Sequence, residues 1–251
     1  HRRSSLPPPL HLLGFSRCHH RHRERSAGLW RVARAGGGRT VSVIAGHGTG
    51  PRKQRALQVA LQPHPITAGS SDRTHEVRLT PREQGVELRY LWSGPSAQIL
   101  WPDRVPHPDV RGERRDYLWH HTCGEWFIGE VGSPGYIEFN FSPSGHWAAY
   151  RFADYRQSLG DLVWEGSPPE IEFSLEAQRA ELRARVPWAA FASFVSEPVR
   201  EWQLGFTCVV ERRISVSPAG TASADTLEYW AVSHPRAQPE FHDRRGFSVS
   251  W

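Results

Sequence analysis

Methionine is absent from this 251-residue chain, and cysteine is nearly so, with Cys18, Cys123 and Cys208 widely scattered. Three dispersed thiols cannot build a disulfide framework and match no zinc-ligand spacing, so packed, reduced cysteines are expected. No run of about 18 apolar residues occurs, which excludes a membrane-spanning helix. There is no G-x-S-x-G nucleophile elbow, no P-loop and no H-E-x-x-H motif. Val41-Ser42-Val43-Ile44 runs into Gly46, Gly48 and Gly50. A dinucleotide fingerprint would need a further glycine at position 51, which is Pro51, and no strand–helix–strand unit follows. No internal repeat of about 20–50 residues is visible, which removes solenoids and propellers.

Acidic residues are almost missing from the first 56 positions. That stretch holds twelve Lys and Arg against Glu24 alone, a charge of +11, while 57–251 holds 19 basic and 25 acidic groups, a charge of −6. The +5 of the whole chain therefore belongs to the amino-terminal segment, and nucleic acid is not an expected partner of the part that folds. The segment carries Pro7-Pro8-Pro9, a His and Arg cluster over 17–25, and Gly36-Gly37-Gly38. Such low-complexity composition offers too little apolar material to offset the entropy of ordering. Residues 1–56 are read as disordered or as non-native coding sequence, with a phosphate-binding arm as the alternative. Leu10 to Phe15 is too short for a signal-peptide core and is broken by His11 and Gly14, so a cytoplasmic location is expected. The unpaired Cys123 and Cys208 point the same way.

What is present from Leu57 onward is a period of two. Ile171, Phe173 and Leu175 alternate with Glu170, Glu172, Ser174 and Glu176. Leu182, Ala184 and Val186 alternate with charged neighbours, and Trp202, Leu204, Phe206, Cys208 and Val210 form a third apolar row. This is the pattern of half-buried antiparallel strands. Further strands are expected over 76–80, 86–92, 97–101, 123–128, 136–141, 147–152 and 226–232, with one helical turn near 187–194. About ten short strands punctuated by Gly and Pro predict an all-β antiparallel sandwich over 57–251.

One hairpin carries most of the functional signal. Ile137, Phe139 and Phe141 point to one side of their strand, and Tyr136, Glu138 and Asn140 to the other. Ser142-Pro143-Ser144-Gly145-His146 is a turn by composition. On the returning strand Ala148, Tyr150 and Phe152 oppose Trp147, Ala149 and Arg151. Placing both apolar sets in one core gathers Tyr136, Glu138, Asn140, Trp147 and Arg151 on the opposite face. Aromatic plates among carboxylate, amide and guanidinium groups suit a sugar, whose C–H surfaces stack while its hydroxyls need directional partners. The ordinary alternative is a solvated face with a Glu138–Arg151 cross-strand pair.

Three segments also carry a resemblance. They are Leu118-Trp119-His120-His121-Thr122-Cys123-Gly124-Glu125-Trp126-Phe127, the hairpin from Tyr136 to Phe152, and Tyr229-Trp230-Ala231-Val232-Ser233-His234-Pro235 with Phe241-His242 after it. Their order and spacing resemble the bacterial DOMON-like domains grouped with the family 9 carbohydrate-binding modules, over roughly 57–247. The resemblance implies a β-sandwich that binds a small ligand, a sugar or haem, without catalysis. Gly124 departs from it, standing where relatives carry a bulky aromatic; Trp126, on the same side, is expected to fill the space.

The ligand residues expected from hairpin and resemblance together are Trp119, Tyr136, Trp147 and Trp230 for stacking and Glu138, Asn140 and Arg151 for hydrogen bonding. His121, Glu125, His234 and His242 form the rim. Trp92, Trp101, Trp164, Trp188 and Trp202 are assigned to structure. A carbohydrate is the expected partner, with no membrane, and no cofactor is required. Haem and calcium stay open. Met–His haem ligation needs the missing methionine, which leaves His121, His234 and His242 as axial candidates, and no dense oxygen-ligand loop offers itself to calcium. A glycan-processing enzyme using Glu125 and Glu138 is the further alternative.

Overall fold

The computed structural model describes residues 41–43, 56–67, 72–103, 112–192, 194, 201–213 and 226–251. Apart from 41–43 and Ala56, the basic amino-terminal segment lies outside the described residues, as does Cys18. Thirteen strands occur among the described residues: β1 (Val41–Val43), β2 (Leu57–Pro63), β3 (Thr74–Arg82), β4 (Gly85–Ser93), β5 (Cys123–Glu130), β6 (Tyr136–Phe141), β7 (Trp147–Asp154), β8 (Gln157–Asp161), β9 (Glu170–Glu176), β10 (Arg179–Pro187), β11 (Trp202–Arg212), β12 (Thr226–Ala231) and β13 (Val249–Ser250).

All the strand pairings are antiparallel, and they form the expected sandwich. One sheet runs β1-β2-β3-β4-β10-β9 and the other β8-β7-β6-β5-β11-β12, with β13 on the first residues of β11. A two-residue pairing, Trp230 with Pro63 and Ala231 with Gln62, joins the sheets at one corner. Among the described residues no helix is long and apolar enough to cross a membrane. The helical turn expected near 187–194 is a short 3-10 turn, Trp188–Phe191. The strand expected over 97–101 is instead a 3-10 turn at Ser96–Gln98 followed by an isolated bridge from Ile99 to Arg212. Pro95 opens that turn, and the Trp101 indole donates back to the Ser96 carbonyl at 3.0 Å. β8 was not foreseen because it is a fully exposed edge with no apolar period.

The core between the sheets holds the apolar rows that the alternation picks out. Val77, Leu79, Leu88, Tyr90 and Leu182 come from the first sheet and Trp126, Ile137, Phe139, Phe141, Leu204 and Phe206 from the second, all buried. The Trp126, Phe139 and Phe206 rings stack, with centroids 5.7 and 6.5 Å apart. The outer faces differ. That of the first sheet is laced with charge: Glu87 accepts from Arg82 at 2.8 Å and from Arg89 at 3.0 Å, and Arg183 and Arg185 reach Glu172 at 2.9 Å. Burial alone would raise the Glu87 carboxyl, but the arginines hold it at about 2. The second sheet has no such arginine ladder over its middle strands, and every residue of β5 and β6 is buried.

Gly124 shows how tightly the sheets meet. A Cβ there would sit 2.8 Å from the Tyr90 ring. Tyr90, whose hydroxyl donates to the Glu125 carbonyl at 2.6 Å, fills the space expected of Trp126. Gly124→Ala should therefore destabilise the fold by about 1–3 kcal/mol through overpacking. Combining it with Tyr90→Leu should cost less than the sum of the two single changes in urea denaturation, because the two side chains contend for one volume.

Candidate functional site

The register of β6 and β7 decides which side chains share a face. Phe141 pairs with Trp147 across the five-residue turn, and the ladder continues through Phe139–Ala149, Glu138–Tyr150 and Tyr136–Phe152. Directly paired residues point to the same side of a sheet. Tyr136, Glu138 and Asn140 therefore share their face with Ala148, Tyr150 and Phe152, and the expected partners Trp147 and Arg151 lie on the other. Grouping by hydrophobicity put Tyr150 and Phe152 in the core; the turn length reverses that choice. Trp147 packs on Trp164 with centroids 5.2 Å apart, against the inter-sheet core. Trp230 is likewise removed from the ligand set, since it is buried in that core with its indole donating to Glu228 at 3.1 Å.

The outward face of the second sheet is roofed by the chain after β12. That segment stays in place because Gly129 leaves room for the Arg244 guanidinium, which donates to the Gly135 carbonyl at 2.7 Å and the Glu130 carbonyl at 3.0 Å. Asp243 caps the turn Arg244–Gly246 and accepts from Arg236 and Arg245 at 2.6 Å, which holds its carboxyl far below the usual range. Phe247 then joins Phe127, Tyr136 and Phe152 in a second apolar cluster on this face. Between roof and sheet lies a cavity of about 940 Å³.

Glu125 from β5 and Glu138 from β6 contribute to its lining, only 3% and 5% exposed. Thr207 donates to Glu125 at 2.8 Å, and the Asn140 amide donates to Glu138 at 2.8 Å. Burial, and then the charge of Glu138, push the Glu125 carboxyl up toward neutrality. Burial raises Glu138 as well, against the Asn140 hydrogen bond. One wall is aromatic. Trp119 comes from the 3-10 turn Leu118–His120 and meets Tyr150 edge-on at 5.8 Å, while the Tyr150 hydroxyl donates to Asp116 at 2.6 Å. The other side holds Tyr229, Phe241 and His242, together with Arg156, whose guanidinium is bound to Glu240 by two 3.0 Å hydrogen bonds.

Of the expected ligand residues, Trp119, Glu125, Glu138 and His242 line the cavity. Tyr136 and Asn140 stand behind them, Tyr136 hydrogen-bonded to His242 Nδ1 at 2.8 Å. His121 instead bonds Glu211 at 2.8 Å, and His234 bonds the Gln62 carbonyl at 2.8 Å, with its ring 6.4 Å from Phe241. Of the three histidines named as axial candidates for haem, His242 lines the cavity, and His121 and His234 are not among its lining residues. Among the described residues no three His, Cys, Asp or Glu side chains gather as metal ligands. Tyr150, Phe152, Tyr229, Arg156 and His120 were missed. Counting the turn residues would have found the first two; Tyr229 and Arg156 carry no local signal.

Two histidines, His75 and His242, and the carboxyl pair pull stability in opposite directions. Burial holds His242 at about 4 and His75 at about 3, so between those values and the usual 6.5 the unfolded chain binds more protons and stability rises with pH. The carboxyl pair keeps protons that the unfolded chain has already released, so its contribution is lost as pH rises through the folded-state range. Above about pH 6.5 the histidine term is spent. Between about pH 6.5 and about 8 the wild-type Tm should then fall with rising pH, and the Glu125→Gln/Glu138→Gln double variant should lose that slope in thermal melts over the same window.

No family model matches the chain and no curated protein matches it. Among solved structures it is similar to a Bacteroides uniformis protein provisionally described as carbohydrate-binding, at 14% identity over 74% of this chain and 83% of that one, with a TM-score of 0.45. It is also similar to a family 9 carbohydrate-binding module from Caldicellulosiruptor kristjanssonii in complex with cellotriose, at 10% identity over 68% of this chain and 71% of that one, TM-score 0.34. The glucose complex of a family 9 module from the same organism gives 10%, 68%, 72% and 0.33.

Proposed function

We propose that the cavity on the outer face of the second sheet binds a saccharide without transforming it. The observation that carries this reading is the pairing of an aromatic wall, Trp119 and Tyr150, with a buried hydrogen-bonding floor, Glu125 and Glu138, in one cavity of about 940 Å³. Carbohydrate C–H faces stack on such rings, and hydroxyl groups bridge to such carboxyls. The volume lies within the range of ligand pockets. The resemblance carried by the three sequence segments implies the same class of ligand, and each of those segments supplies at least one lining residue.

A second reading is favoured by the protonation of the floor. Two carboxyls displaced upward in a cleft are the arrangement from which glycosidases draw an acid. Hydrolysis of an aryl glycoside, abolished by Glu125→Gln and by Glu138→Gln, would establish that reading.

The binding reading is tested by calorimetric titration of mono- and oligosaccharides. Trp119→Ala should weaken the best ligand about tenfold, equivalent to about 1.4 kcal/mol. Trp147→Ala, on the opposite face, should leave affinity unchanged. Equal losses in both variants, or no loss in either, would remove the aromatic wall from the site.

A further inference from the structure

We propose that the ligand of this cavity carries a protonated amine, seated between Glu125 and Glu138. The proposal rests on the saccharide reading for the class of molecule, which then becomes an amino sugar, but not for the charge, which follows from the floor itself.

Three other buried carboxylates among the described residues have been given cations. Glu87 has Arg82, Arg89 and Arg185; Glu228 has Arg73 and Arg212; Asp243 has Arg236 and Arg245. Glu125 and Glu138 are as deeply buried, yet the hydrogen-bond donors described for them are neutral: a threonine hydroxyl, a cysteine thiol at 3.7 Å and an asparagine amide. His242 Nε2 lies 3.7 Å from Glu138, but burial keeps that ring uncharged at neutral pH, so the contact is no ion pair there. Arg156 lines the same cavity with its guanidinium already matched by Glu240. A buried carboxyl pair without a cation must retain protons or receive a positive charge from outside.

The rest of the lining suits an organic cation over a metal ion. Trp119, Phe127, Tyr150, Phe152 and Tyr229 line the cavity, and aromatic rings attract an ammonium group through their π-electrons. A hard cation such as calcium needs six to eight oxygen ligands, which these rings do not supply. Asn140, on the same face, keeps its buried Oδ1 without a hydrogen-bond partner among the described residues, so the floor is rich in acceptors.

Three β-1,4-linked trimers that differ only at C2 decide the matter: glucosamine with an amine, N-acetylglucosamine with an acetamide and glucose with a hydroxyl. Each is titrated into the full chain at about pH 6, where a sugar amine is protonated. The amine trimer should bind at least about tenfold more tightly than either neutral one. The Glu125→Gln/Glu138→Gln variant, its fold checked by circular dichroism, should lose that preference, the amine trimer falling to or below the affinity of the neutral ones. Equal affinities in the wild type would overturn the amine assignment and leave the saccharide reading standing, whatever the variant does. If no trimer binds, cyclohexylammonium is titrated against cyclohexanol. Selective uptake of the cation would keep the amine assignment and discard the sugar, and uptake of neither would discard both.

Discussion

A sheet buried on both faces has nowhere to send its polar side chains except to one another or to a ligand. The second sheet of this sandwich is in that position at β5 and β6, where every residue is buried. Its inner face meets the constraint with phenylalanine, tryptophan and isoleucine. Its outer face carries Glu125, Glu138, Asn140 and Thr207 in one neighbourhood, beneath Phe247 and His242. An isolated buried charge is expensive, so the floor takes the cheaper route of holding protons and donating hydrogen bonds between its own members. The cavity, its acid–base state and the need for a roof follow from that arrangement.

Legibility in the sequence followed interaction range. Alternation over a few residues is a local property, and Trp202 through Val210 or Leu182 through Val186 could be placed on a half-buried strand without knowing their neighbours. The sandwich was readable for that reason. The site was half-readable: Trp119, Glu125, Glu138 and His242 came from segments that resemble known binding modules. Trp147, Arg151 and Trp230 were misplaced for two separate reasons. For the hairpin, hydrophobicity was allowed to choose the face, although a five-residue turn pairing Phe141 with Trp147 makes the choice independently. Tyr150 and Phe152 are aromatic because they line a cavity under a roof, an environment that looks like core to any local rule. In β12, Trp230 and Tyr229 are both aromatic, and it is the pairing of Tyr229 with Val209 on β11 that sends Tyr229 outward.

Charge was readable as a difference between segments but not as geometry. The acidic balance of 57–251 is distributed unevenly in space. Among the described residues, arginines gather over the first sheet and around Asp243, and none stands in the floor of the cavity. Composition cannot show that, because the same residues spread evenly would give the same total.

The roof over the cavity begins at the end of β12 and finishes in β13, and both strands pair with β11. Trp202 and Trp251 exchange backbone hydrogen bonds at 3.1 and 3.0 Å, closing the loop onto the sheet it covers. A covering segment tied down at both ends loses its freedom when the chain folds, not when a ligand arrives. Such a cavity resembles a mould more than a jaw: its selectivity comes from what already fits, and a guest of the wrong shape gains nothing from a closing motion.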